Sequence, residues 1–177
     1  QIIMAFMMVT MMSIMIPRAS VAAGRIKEVL DTEISICDPE KAENFDADKR
    51  GEIEFKNVSF RYPGAEEDVL HNLNFTAEAG KTTAFIGSTG SGKSTIVNLV
   101  PRFFDVTKGE ILVDGVNIKH VSQKALRDKI GYVPQKGFLF SGTIATNLRY
   151  AKEDASEEDL KAASEIAQAM EFIDNKP

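Results

Sequence analysis

The chain has 177 residues, of which 44% are hydrophobic and 27% charged, with a formal net charge of −5. That size suits one packed domain with an appendage, and the mild acidity lacks the basic footprint of a nucleic-acid binder, so no nucleic-acid partner is expected. A single cysteine, Cys37, excludes an intramolecular disulfide and fits a reducing compartment.

The chain opens on Gln1 with an uncharged stretch, and from Ile2 to Ile16 only Thr10 and Ser13 are polar. A membrane-spanning helix needs about 20 apolar residues. Residues 1–17 are therefore expected to be the end of a transmembrane helix that starts upstream. Arg18, Arg25 and Lys27 follow directly, and positive charge on that flank predicts a cytoplasmic location for what comes after. A signal peptide would carry basic residues before the apolar run, and none are there. A buried core helix is the competing reading at this length. Residues 18–50 are expected to form a cytoplasmic helical extension and linker. Ile26, Val29, Leu30 and Ile34 recur at helical spacing, and then Pro39 and a dense mixture of charges lead to a boundary near Gly51.

Beyond Gly51 the period changes. Ile53 and Phe55 alternate, and Val58, Phe60 and Tyr62 alternate one step out of phase, which predicts a strand with a bulge or turn near Lys56–Asn57. Leu73, Phe75 and Ala77 predict a second strand, closed by a turn at Ala79–Gly80. Thr83 to Ile86 reads as a short buried strand of a parallel sheet. Ile111 and Val113 predict another strand, ending at the turn pair Asp114–Gly115, and Ile130 to Val133 a further short one. One helix carries Ile96, Leu99, Val100 and Phe103 on one face, with Pro101 set to kink or end it. A second covers roughly 122–129 with Ser122 as N-cap, and a last one begins at Ser156, with Asp159 three residues on and Leu160, Ala163, Ala167 and Met170 at helical spacing.

The motif that carries chemistry is Gly87-Ser88-Thr89-Gly90-Ser91-Gly92-Lys93-Ser94-Thr95, which satisfies G-x-x-x-x-G-K-[ST]. Glycines let such a loop bring its amide N–H groups against phosphate oxygens, and the following helix presents its positive end to the same anion. Lys93 reaches the terminal phosphates as a point charge, and the Ser94 hydroxyl can ligate magnesium. The predicted flanks, a buried strand before and a helix after, are the context this P-loop needs. The bland alternative is a glycine- and serine-rich loop that matches by chance.

Four segments in order resemble the ATP-binding half of an ABC transporter of the exporter type, in which membrane and ATPase regions share one polypeptide. They are Phe60–Gly64, similar to the A-loop strand; the P-loop; Lys108–Ile118; and Ile130–Leu148, similar to the Q-loop and the start of the helical subdomain. The resemblance implies an α/β fold: a P-loop NTPase (RecA-like) core with an antiparallel β subdomain, incomplete here and preceded by the end of a transmembrane helix. Residues 51–177 would be the N-terminal part of the nucleotide-binding domain, with the helical subdomain beginning near residue 140. It implies ATP and Mg2+ as ligands. Residues 87–95 would cradle the phosphates, and Tyr62 would stack on adenine, against the alternative of a core tyrosine. Gln135 would contact the magnesium and place the attacking water, against that of a solvated loop glutamine. Phe138, Leu139 and Phe140 fit either core or a grip on a membrane-domain helix. Val106 departs from the family at a turn where proline is common.

The resemblance implies a second ATP-binding domain, identical or different, as partner, together with a transmembrane domain and a transported substrate. The intact protein would be a multi-pass membrane protein with its ATPase on the cytoplasmic side. The signature loop, the Walker B carboxylates and the switch histidine of the family would all lie downstream of Pro177, so the chain is expected to be a fragment that binds ATP without turning it over. His71 and His120 are expected at the surface. Another P-loop enzyme, a kinase or GTPase, is a rival, although no guanine-reading N-K-x-D stretch is present. A non-catalytic module of the same fold is a second rival, and a soluble subunit is a third.

Overall fold

The computed structural model describes residues 1–46 and 49–175. They fall into two compact units, one ending at Gly131 and the other beginning at Tyr132.

The first unit begins with α1, a helix over Ile2–Leu30 that carries Pro17 inside it. Its length and apolarity are enough to cross a membrane. None of its residues is buried, and its large apolar side chains are 55–78% exposed.

The helix is followed by a four-stranded antiparallel sheet in the order β2-β1-β3-β4, built from β1 (Ile53–Phe60), β2 (Leu70–Ala77), β3 (Lys108–Val113) and β4 (Val116–Asn117). The phase change read in β1 is a bulge. Its register with β2 shifts between Phe55 and Val58, and Asn57 takes a left-handed φ of 50°. One extra residue resets the two-residue alternation, so Phe55, Val58 and Phe60 all reach the core, each 2% exposed or less. β3 and β4 join through Asp114 and Gly115, with φ of 53° and 80°, the pair of positive angles that a two-residue hairpin turn demands.

α2 (Lys93–Leu99) and α3 (Gln123–Arg127) complete this unit. α2 stops before Pro101, and α3 starts at Ser122, whose hydroxyl accepts the Ala125 amide at 3.2 Å. Leu99 and Leu126 are fully buried, with Val58 and Val121, in a core shared by the helices and the sheet. Each such side chain contributes about 1.5–3 kcal/mol of hydrophobic stabilisation.

Two predicted strands are not formed. Residues 83–86 and 130–133 are irregular, and Ile86 and Val133 are 96% and 91% exposed. A parallel strand needs a hydrogen-bonded neighbour, and among the described residues no strand pairs with either segment.

The second unit is helical: α4 (Ile144–Leu148), a 3-10 turn (Arg149–Ala151), α5 (Glu157–Ile166) and α6 (Met170–Asp174). The predicted start at Ser156 is a capping box, with Ser156 Oγ accepting the Asp159 amide and Asp159 accepting the Ser156 amide, both at 3.1 Å. The helical spacing continued to Met170 in the sequence, but Gln168 has a φ of 53° and breaks the run in two.

Candidate functional site

Residues 87–91 form an exposed loop between the irregular segment 83–86 and α2. The turn into the helix falls on Gly92, whose φ is 87°. A Cβ there would be strained by the positive φ and would lie 2.7 Å from Leu70 Cδ2, which would have to shift.

The Lys93 side chain arches back over the loop. Its Nζ donates to the carbonyls of Gly87 at 2.9 Å and Ser88 at 2.6 Å, with Ser91 Oγ at 3.3 Å. One ammonium thus sits inside the ring of loop residues, held by neutral acceptors and no carboxylate. A phosphate oxygen offers a cation a stronger partner than a carbonyl, so this arrangement is poised for exchange. The Ser94 hydroxyl follows at an exposed position, while Thr95 turns inward and is 6% exposed.

Thr95 links the loop to the sheet, its Oγ1 lying 3.0 Å from the Tyr62 hydroxyl. The Tyr62 ring is half-buried. Phe60 meets it edge-on at a centroid distance of 4.8 Å and Phe104 at 5.2 Å. β1 delivers Tyr62 here because it ends at Phe60, two residues before Tyr62, and Pro63 and Gly64 then turn the chain away. The structure therefore forms two adjoining sets of contacts, Lys93 with Gly87, Ser88 and Ser91, and Tyr62 with Thr95, which meet through the first turn of α2. Gln135 belongs to the second unit, on an exposed bend. Phe138, Leu139 and Phe140 are exposed in the same unit, and Phe140 stacks on Tyr150 at 4.8 Å.

Phe104 and Thr107 escaped the residue-by-residue prediction. Phe104 backs the Tyr62 ring, and Thr107 Oγ1 accepts the Arg61 amide at 3.0 Å, fixing the end of β1. The available signal was the aromatic pair Phe103–Phe104 directly after the P-loop helix.

The donor set also bears on a metal. Among the described residues no group of three or more His, Cys, Asp or Glu side chains could cage one. Mg2+ is commonly held by one or two protein oxygens together with substrate phosphates and water, and an exposed Ser94 beside the loop fits that mode.

A family model described as ABC transporter matches residues 70–177. The chain is 43% identical over 176 residues to an uncharacterized ABC transporter ATP-binding protein of Mycobacterium tuberculosis, spanning 98% of this chain and 30% of that protein. It is 51% identical over 129 residues to the ATP-dependent lipid A-core flippase of Haemophilus influenzae, spanning 72% of this chain and 22% of the flippase. Among solved structures it matches a bacterial Atm1-family ABC exporter with ATP bound, at 36% identity and a TM-score of 0.82, over 92% of this chain and 28% of the exporter.

Proposed function

Because the chain belongs to the ABC transporter family, we propose that it carries the phosphate-binding part of the ATPase motor of an exporter. The observation that carries this is the Lys93 ammonium held by the Gly87 and Ser88 carbonyls inside a loop tied through Thr95 to Tyr62. In this proposal residues 87–95 receive the phosphates of ATP, Lys93 exchanging its carbonyl partners for phosphate oxygens. Tyr62 offers a ring to adenine, and release of its hydroxyl from Thr95 accompanies that contact. Ser94 and Gln135 hold Mg2+, which supplies positive charge against the phosphate oxygens when bound. Gln135 also orients the attacking water.

The chain spans about a third or less of the relatives it matches, and the activity of a whole protein is part of the same proposal. Residues 1–17 are the end of a transmembrane helix, residues 18–50 a cytoplasmic extension and linker, and residues 51–177 the first part of the ATP-binding domain. A second such domain completes the ATP site, and a membrane domain selects the cargo. The exposed apolar surface of α1 and the basic residues at its cytoplasmic flank support this arrangement.

The test is displacement of a fluorescent ATP analogue by ATP and GTP, with magnesium, from the wild-type chain and from Lys93→Ala. The proposal expects ATP to displace the analogue and the variant to bind it at least tenfold more weakly. A chance glycine-rich loop would leave the two chains indistinguishable, and a clear preference for GTP would indicate a different P-loop enzyme.

A further inference from the structure

Two charged groups in the first unit are buried away from the phosphate loop, Asp114 at the β3–β4 turn and Arg102 after α2. Arg102 follows α2 and Pro101, and its side chain is 5% exposed. Its backbone is left-handed, with φ of 54°. The guanidinium binds Asp105 through two bonds, Nε at 2.8 Å and Nη2 at 3.2 Å, and Nη2 also donates to the Cys37 carbonyl at 3.3 Å. Burying an arginine is costly unless its donors are used. Nε and Nη2 bind Asp105, Nη2 also reaches the Cys37 carbonyl 65 residues away in sequence, and the buried Nη1 has no hydrogen-bond partner among the described residues.

That segment is the strap that follows α1. Its Asp38 carboxylate accepts the Gln123 amide at 2.9 Å and Gln123 Nε2 at 3.1 Å, and Nε2 also lies 3.3 Å from the Ile36 carbonyl. Gln123 Oε1 accepts from Arg127 at 3.1 Å, and Arg127 Nε donates to the Pro101 carbonyl at 3.1 Å. The bonds form a closed circuit: strap, α3, the end of the P-loop helix, and strap again. Six residues lie between the last residue of α1, Leu30, and Cys37, so the circuit grips the chain close to the root of that helix.

We propose that Arg102, Asp38 and Gln123 form a coupling latch, by which a shift of the P-loop helix on nucleotide binding is carried through the strap to α1. The latch rests on the nucleotide site proposed above. Arg102, Asp38 and Gln123 act here as positioning residues, since none of them belongs to the phosphate loop. The latch requires two arrangements of this network, strap held and strap released, with bound nucleotide favouring one of them.

The single cysteine of the chain supplies the probe. Cys37 is exposed and sits in the middle of the strap. The measurement is its rate of alkylation in the 177-residue chain in detergent, with and without saturating Mg-ATP. Nucleotide binding is followed in parallel. The variants are Asp38→Ala, Gln123→Ala and Arg102→Met; the first two change side chains that are not buried, so they keep the test open if the third fails to fold.

In the wild type, Mg-ATP is expected to change the rate by about fivefold, the equivalent of one hydrogen bond made or lost. In Asp38→Ala and Gln123→Ala the rate is raised and no longer responds to Mg-ATP, while nucleotide still binds, its affinity moved by no more than about fivefold, the reciprocal of the same coupling. The double variant behaves as either single one, because the two residues share one link. Bound nucleotide with an unchanged Cys37 rate in the wild type overturns the latch and leaves the nucleotide site standing. So does a variant that keeps the full response. A wild-type chain that binds no Mg-ATP overturns both.

Discussion

At the scale of single residues, the site is a small set of polar contacts whose partners can be removed one at a time. Tyr62 touches Thr95 through its hydroxyl and Phe60 and Phe104 through its ring. Tyr62→Phe keeps the ring and is expected to hold ATP at least as well as the wild type. Tyr62→Ala would remove the proposed adenine platform and should weaken binding by about 1–3 kcal/mol, as equilibrium titration of the two variants would show. Asp114 gives a test by pH. Burial pushes its carboxyl up, but hydrogen bonds from Lys129 and from the amides of Glu52 and Gly51 outweigh burial and hold it below the usual carboxylate value of 3.8. A lowered value stabilises the fold fully above 3.8, and that contribution is lost as pH falls through the folded-state value. Asp114→Asn, which tolerates the same left-handed turn, should therefore destabilise the chain near neutrality and flatten its acid unfolding below the usual carboxylate value of 3.8, as measured by circular dichroism.

At the scale of elements, the antiparallel sheet was legible because its signals are local. The bulge at Asn57, the Asp114–Gly115 turn and the Ser122 and Ser156 caps are each set by a few neighbouring residues. Ser156→Ala should cost about 1 kcal/mol in thermal or denaturant unfolding of the second unit, since it removes a donor's only side-chain partner at the start of α5. Residues 83–86 and 130–133 were misread as strands for the opposite reason. Ala84, Phe85 and Ile86 have the composition of a buried strand, but a ladder is made by two partners, and composition speaks for one. Phe85 nevertheless finds Phe75 of β2 at 5.2 Å, an aromatic contact that holds the segment near the sheet without a strand. Within the candidate site, the glycines and Lys93 were readable from spacing alone. The Tyr62–Thr95 bond was not, because it joins residues 33 positions apart through a fold that had yet to be built.

At the scale of the molecule, one surface calls for cover. Over residues 2–16 α1 exposes almost only apolar side chains, and lipid would satisfy that surface without any further protein contact. Purified chain is expected to partition into liposomes, and deleting residues 1–17 should leave it in the aqueous phase on flotation. P-loop catalysis depends on charge placed around the transferred phosphate; in the proposed site Lys93, Ser94 and Gln135 would supply part of it, and these 177 residues include no paired carboxylate after an apolar strand. It should bind Mg-ATP and release no phosphate above background; steady release abolished by Lys93→Ala would contradict this.

The central claim is that loop amides and the Lys93 ammonium gather around a triphosphate. The most direct measurement is amide hydrogen exchange across residues 87–95 in the intact chain, with and without saturating Mg-ATP. Marked slowing confined to that loop and its flanks, absent in Lys93→Ala, is the predicted result. Exchange there that is unaltered by the nucleotide would contradict the assignment of the site.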